Sequence, residues 1–422
     1  MNGGLRAGAA RAPLQLPEEL FSTEGFKGVH DSLHARVLLL DNQERVALVS
    51  VELTSLPEEQ VAVLRKLVGE TAELPPENVW ICVTHTLSAP HFVPERMGKT
   101  SVERRKNGLM SQAVQTAVRD ASARASARLT PARVGYKSGP CDVNVNRDVP
   151  TAEGWWLGCN ETGFSDKTVT VLRFEANDGS PIALLFSHCV RPAVMERPPG
   201  AGDMGLVSAD LAGAASTLIE QEYGDSVTAL FMMGTAGDQA PSLTGARFQY
   251  GGRDGGVRSK EAGDRGLVVA EMVGARLGAE VVKLSEEMAC GPCGDQILTK
   301  RGVIELPGQE MLRTELIRPT HEYAFEAAPS RAQSLEIIRM GDVALVGVAP
   351  ELSCSTGAEI REGSPFPATL VLTMVNGAAK YMADAGAYER ITYEAMNSLF
   401  ARGSAEMLAE KALGMLRDMA RS

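Results

Sequence analysis

Six histidines occur in a chain of 422 residues, and two of them stand in the same kind of place. The apolar run Val79–Val83 leads straight into Thr84-His85-Thr86, and the apolar run 181–187 leads straight into His188. A third run, Val343–Val348, leads into Ala349-Pro350-Glu351. Short apolar runs bounded by turn residues predict buried strands. The end of a buried strand is where α/β proteins present ligand-binding groups. Two imidazoles and a carboxylate delivered to such ends have the chemistry of an open zinc site, which takes nitrogen and oxygen donors and keeps a position for water. Each residue also has an ordinary reading: either histidine serves as a hydrogen-bonded structural residue, and Glu351 sits where a helix N-terminus stabilises a carboxylate.

Two further stretches are rich in small residues. The loop Gly234-Thr-Ala-Gly237-Asp238 follows the apolar run 229–233. Small residues there let a substrate approach the backbone and can aim N–H groups at an oxyanion. The loop lacks the lysine and spacing of a phosphate-binding loop. The stretch 245–257, GARFQYGGRDGGV, is glycine-rich and long for a connection; it reads as a mobile substrate loop or as plain surface. Cys290-Gly-Pro-Cys293 has the spacing of a redox pair or of half a zinc site. No strand pattern leads into it and no second close pair follows, so it reads as a turn with two incidental cysteines.

The elements that must position these groups follow from periodicity. Strands are expected at 35–40, 46–53, Val79–Val83, 134–146, 169–174, 182–187, 229–233 and 369–375, with a hairpin of 335–340 and Val343–Val348 about Gly341-Asp342. Helices are expected at 58–70, 101–129, 208–223, 261–287 and 405–421. Several neighbouring strands are joined too tightly for parallel crossovers. The expected class is therefore α/β, with a mixed central sheet flanked by helices. Residues 1–26, rich in Gly, Ala and Pro, are expected to be irregular, and residues 27–422 to form a single domain without repeats or linkers.

Composition narrows the partners. Apolar residues make up 44% and charged residues 23%, ordinary for a globular protein. A net charge of −11 argues against a nucleic-acid binder, which presents a basic surface. No run approaches the ~18 apolar residues that span a bilayer. Seven scattered cysteines suit a reducing compartment, and the N-terminus lacks the continuous apolar segment of a secretion signal. A cytoplasmic protein acting on a small molecule is expected, with a homo-oligomer as an open alternative.

With these residues in view, the chain resembles the neutral/alkaline (non-lysosomal) ceramidase family, in the short bacterial form that matches only that family's catalytic domain. The segments that carry the resemblance span about residues 28–412. They are Gly28-Val-His-Asp-Ser-Leu-His-Ala-Arg36, Val46-Ala-Leu-Val-Ser-Val-Glu-Leu-Thr54, VTHTLSAP, Asn146-Arg147, FSHCVRPAVM, FMMGTAGDQAP, GVAPELSCSTGAEIRE and NGAAKYMADAGAYERITYE, in that order. The resemblance implies a zinc ion held by two histidines, a glutamate and a tyrosine, which fall on His85, His188, Glu351 and Tyr381. It implies that Arg147 and Tyr393 hold the substrate carbonyl. Two departures stand out. The family's Thr-His-Thr-His-Ser-Gly-Pro motif has Leu87 in place of its second histidine, with His91 nearby. The family's Gly-Asp-Val-Ser-Pro loop reads Gly237-Asp238-Gln239-Ala240-Pro241. The C-terminal immunoglobulin-like domain of the large members is not expected here.

The mechanism implied is attack by a zinc-bound water, whose pKa falls to about 7. Arg147 and Tyr393 would polarise an amide carbonyl and stabilise the oxyanion. His91 or Asp238 would protonate the leaving amine, and Gly234, Gly237 and Ala240 would floor the substrate. The expected function is a zinc-dependent hydrolase of an amide bond in a small N-acyl substrate other than ceramide. Leu87 and Ala240 leave two alternatives open: a zinc lyase, isomerase or esterase of a biosynthetic pathway, and a non-catalytic ligand-binding member.

Overall fold

Neighbouring residues of a strand point to opposite faces of its sheet, and in the long strands of this chain both faces are apolar. Val37 and Leu39 join one buried cluster while Leu38 and Leu40 join another; Val171 and Leu172, and Leu184 and Leu185, divide the same way. Such strands belong to a sheet covered on both sides. The computed structural model describes residues 4–93, 100–196, 204–224, 226–249, 258–261, 263–294, 296–313 and 316–421.

The large sheet has eight strands in the order Thr228–Met233, Pro181–His188, Thr168–Ala176, Thr130–Pro140, Arg6–Pro13, His34–Asn42, Glu44–Val51 and Val79–Val83. The two outermost pairs are parallel and the rest antiparallel. Helices Glu58–Ala72, Ser101–Ala127, Asp210–Glu222 and Arg265–Glu286 cover one face. The other face packs on a four-stranded sheet ordered Ile297–Gln309, Ala327–Met340, Val343–Val348 and Ala368–Leu372. Helices Cys354–Glu362 and Ser404–Arg421 cover that second sheet from outside, the latter through Leu408, Ala412, Met415 and Leu416. The chain is thus a mixed α/β structure with layers of helix, sheet, sheet and helix. Among the described residues no helix is long and apolar enough to cross a membrane.

The N-terminal segment departs from expectation. Residues 1–26 contain the strand Arg6–Pro13, which lies inside the large sheet, and the short helix Glu19–Glu24. Its Ala and Gly content reflects close packing rather than irregularity: a Cβ on Gly8 would lie 2.3 Å from the Ala125 carbonyl oxygen of the covering helix. The single strand expected over 134–146 is two, Thr130–Pro140 and Asn144–Thr151, and the second belongs to a separate three-stranded sheet with Gly154–Asn160 and Gln239–Pro241. The expected hairpin about Gly341-Asp342 is present, with Gly341 at φ 57°.

One short segment ties strand ends from different layers together. Past the end of Ala368–Leu372, Thr373 N donates to Met233 O (3.0 Å) and Asn376 N donates to Ile81 O (2.8 Å). The ends of Thr228–Met233 and Val79–Val83 are thereby fixed against the same four residues.

Candidate functional site

His85 stands two residues beyond Val79–Val83. Its backbone lies in the left-handed region, at φ 62°, which costs a non-glycine residue about 1–3 kcal/mol. Hydrogen bonds on both sides hold it there: Thr84 N donates to Val51 O (3.0 Å) and Thr86 N donates to Leu53 O (3.2 Å). The ring is held as well. Nδ1 lies 2.6 Å from Thr54 O. A carbonyl only accepts, so Nδ1 carries the proton and Nε2 offers a lone pair. Burial pushes the imidazole below its ordinary pKa, against the pull of Glu351 and with the push of Arg191. The ring is neutral at pH 7.

Glu351 and Tyr381 arrive together because the strand pair Glu351–Leu352 and Tyr381–Met382 is parallel with those two residues in register. Glu351 Oε2 lies 3.4 Å from His85 Nε2 and has no hydrogen-bond partner. Burial opposes its charge, yet the Arg191 and Arg147 guanidiniums hold the carboxyl below the usual range. Tyr381 is pushed up to about 12 by burial, so its phenol keeps its proton.

Arg147 projects from Asn144–Thr151, with its backbone N–H donating to Asp238 O (2.9 Å). Its guanidinium lies 5.3 Å from the Tyr381 ring centre and 5.7 Å from that of Tyr393. The two tyrosine rings meet edge to face, their centres 5.9 Å apart. Trp156 packs edge-on against Tyr393 at 5.8 Å. Buried Glu394 receives Arg147 Nε at 2.7 Å, and burial is outweighed as Tyr381 and Glu394 raise the guanidinium's pKa. Glu394 was not singled out from sequence. Its signal is its place beside Tyr393 at the start of the helix Tyr393–Met396.

Arg191 is the second residue that sequence reasoning passed over. It lies three positions past the strand Pro181–His188 and is buried. Its Nη2 donates to His85 Nε2 at 3.0 Å, and its Nε lies 3.7 Å from Glu351 Oε2. A turn from Arg191 O to Ala193 N (2.8 Å) and a bond from Leu87 N to Pro192 O (3.2 Å) carry it beside the His85 segment. The centre thus contains His85, Glu351, Tyr381, Arg147, Arg191 and Tyr393.

The other expected residues lie around this centre with partners of their own. His188 Nε2 donates to Cys141 O (2.9 Å), its Nδ1 has no partner, and burial lowers it to about 4. That ring lines a small polar cavity with Asp166, Thr235 and Arg361. Contrary to expectation, it does not join His85 and Glu351, because the strand ends at His188 and the chain reaches the centre only three residues later. His91 bridges Glu24 (Nδ1 to Oε2, 3.0 Å) and the Thr54 hydroxyl (3.2 Å from Nε2). Asp238 accepts from Cys354 N (2.8 Å) and Asn146 Nδ2 (3.1 Å), and burial raises it to about 6. The amides expected to face an oxyanion are already engaged: Gly234 N donates to His188 O (3.1 Å) and Gly237 N to Leu352 O (2.9 Å). Ala240 pairs with Val145 in the three-stranded sheet.

Of the stretch 245–257, residues 250–257 lie outside the described residues; 246–249 form a strand with 258–261. All seven cysteines are free. Burial pushes both Cys290 and Cys293 up to about 11, which leaves neither a thiolate nucleophile at neutral pH.

The donors do not fit the zinc ion that the resemblance implies. His85 and Glu351 are adjacent, but a guanidinium already hydrogen-bonds the histidine nitrogen that would bind the metal. The second imidazole holds the Cys141 carbonyl through Nε2 and leaves Nδ1 without a partner, beside the Asp166–Thr235–Arg361 cavity. Among the described residues, no group of three or more His, Cys, Asp or Glu is placed to hold a metal.

Comparison with known proteins gives a consistent account of the architecture. The sequence model of neutral/alkaline non-lysosomal ceramidase, N-terminal, matches residues 22–262. No curated protein matches the chain in sequence. Among solved structures, the neutral ceramidase from Pseudomonas aeruginosa superposes with a TM-score of 0.72 at 17% identity, over 99% of this chain and 74% of that one. A ceramidase complexed with C2 superposes with a TM-score of 0.74 at 17% identity, over 99% and 75%. At that identity the likeness speaks for the fold.

Proposed function

The chain belongs to the neutral/alkaline non-lysosomal ceramidase family, and from that premise we propose that it hydrolyses the amide bond of a small N-acyl substrate. The observation that carries this reading is the convergence of a neutral imidazole, an ionised carboxylate without a hydrogen-bond partner, two guanidinium groups and two tyrosines in one buried centre. Family membership supports amide hydrolysis as the class of reaction.

In this reading Glu351 Oε2 takes a proton from the attacking water. The water oxygen adds to the amide carbon, and the carbonyl oxygen becomes an oxyanion. Arg147 and Tyr393 hold that oxygen, in a site dry enough for fixed charge to count. Glu351 then returns the proton to the amide nitrogen as the carbon–nitrogen bond breaks, releasing a carboxylic acid and an amine. Arg191 holds the His85 ring through Nε2 and faces the carboxylate with Nε, while Thr54 sets the His85 tautomer. No step is routed through a metal, because the donors do not fit one.

The test is release of free amine from a panel of N-acyl amines and N-acyl amino acids, with a ceramide included. Wild type is expected to turn over at least one small amide. Glu351→Gln is expected to lose about 10²–10⁴-fold in kcat, the range of a general acid–base group. A folded wild-type chain that releases amine from none of them sinks the proposal; release from ceramide alone redirects it to a lipid substrate.

A further inference from the structure

Resting on the centre described above, we infer that this site works without a bound metal and that the Arg191 guanidinium is its permanent cation. The obstacle to another positive charge is the Arg191 guanidinium already seated on His85 Nε2. A zinc ion shared by His85 Nε2 and Glu351 Oε2 would lie about 2.0–2.2 Å from each. Those atoms are 3.4 Å apart, the spacing of two ligands about a tetrahedral ion, but the lone pair of Nε2 is already directed at Arg191 Nη2, 3.0 Å away. An imidazole nitrogen has a single lone pair, so it binds the guanidinium or the metal and not both.

Arg191 cannot yield by losing its charge, since a guanidinium is not deprotonated in proteins. Its backbone is also fixed. The following residues are tethered: Pro192 O accepts from Leu87 N, and Val194 N and Met195 N donate to the buried Asp210 carboxylate at 3.2 and 2.9 Å. Charge in the centre balances without an ion. Arg191 faces the Glu351 carboxylate and Arg147 faces the Glu394 carboxylate.

A consequence for chemistry follows. Arg191 Nε is buried and has no acceptor, although it lies 3.7 Å from Glu351 Oε2. This N–H is a free donor in the centre for an anionic oxygen. Arg191 therefore acts as a catalytic residue that joins Arg147 and Tyr393 in holding the substrate oxygen, by a charge-assisted hydrogen bond, where a metal would have held it by coordination.

The measurement is zinc content by elemental analysis. Wild type and Arg191→His are stripped with chelator, incubated with excess zinc and desalted. Wild type is expected to retain no stoichiometric zinc. Arg191→His removes the fixed charge and adds an imidazole beside His85 and Glu351, and is expected to retain about one zinc per chain, as three protein donors and a water allow. About one zinc in wild type, lost in His85→Ala, overturns the inference. So does a folded Arg191→His that retains no more zinc than wild type, because the guanidinium would not then be what excludes the metal. If Arg191→His does not fold, the wild-type stoichiometry decides alone. A metal-free chain that hydrolyses no amide leaves this inference standing and defeats the proposed activity; a zinc-loaded chain that hydrolyses one does the reverse.

Discussion

Arg147 and Glu394 illustrate how the centre is held at the level of single residues. Both are buried, and their side chains meet at 2.6 Å. Glu394→Ala leaves a buried guanidinium without its carboxylate and is expected to destabilise the fold by about 3–5 kcal/mol. The double replacement Glu394→Ala with Arg147→Met is expected to recover most of that loss, because it leaves no lone charge. Denaturant unfolding of the four chains of this cycle measures it; a loss in the double variant equal to the sum of the two single losses would show that the pair does not couple. Asp238 gives a pH signature. Burial raises its folded value to about 6 from 3.8, so between those values the folded chain binds more protons than the unfolded one. Stability from this group therefore falls as pH rises from about 4 to 6 and is level above. Asp238→Asn is expected to remove that slope. A wild-type minus variant difference that is flat across the window would contradict the assignment.

At the scale of elements, the site depends on loops pressed against strand ends. Gly237 shows how tightly: a Cβ there would lie 2.8 Å from Leu352 O and 3.1 Å from Glu351 O. Gly237→Ala is expected to push the Glu351–Leu352 strand outward at a cost of about 1–3 kcal/mol, and to lower amide turnover more than a substitution of equal cost elsewhere. Thermal unfolding and turnover measured together read both effects; unchanged values for each would mean that the strand is not confined by the loop. The strand ends at His85 and Glu351 were legible because a polar residue after a short apolar run is a local signal. The role of Arg191 was not. It comes from a turn after the strand, set by contacts to Leu87 and Asp210 that are distant in sequence.

At the scale of the whole molecule, the two sheets must stay packed for their strand ends to share one centre. Trp80 lies between them, and a Cβ on Gly347 of the second sheet would lie 3.0 Å from its ring. Trp80→Ala is expected to cost about 3–5 kcal/mol, the range for removing a large core aromatic. The change is expected to lower the unfolding midpoint and loosen His85, five residues along. Recovery of full stability in the alanine variant would show that the layers do not depend on this contact.

The sequence by itself determined the class of fold and most strands and helices, and strand-end polarity marked His85 and Glu351; Tyr381, Arg147 and Tyr393 came only from the family resemblance, and the structure places these five near one another. It could do so because alternation, helical spacing and strand-end polarity are local. It did not determine that Arg6–Pro13 is an internal strand, since a run of Ala and Gly carries little hydrophobic contrast and reads as a strand only once Ala125 is seen above Gly8. Nor did it determine which basic group reaches His85. His188 and Arg191 lie in one short segment, and only the turn after the strand decides that the imidazole faces Cys141 while the guanidinium faces Nε2. Tertiary packing fixes side-chain direction, and the chemistry of the centre depends on that direction.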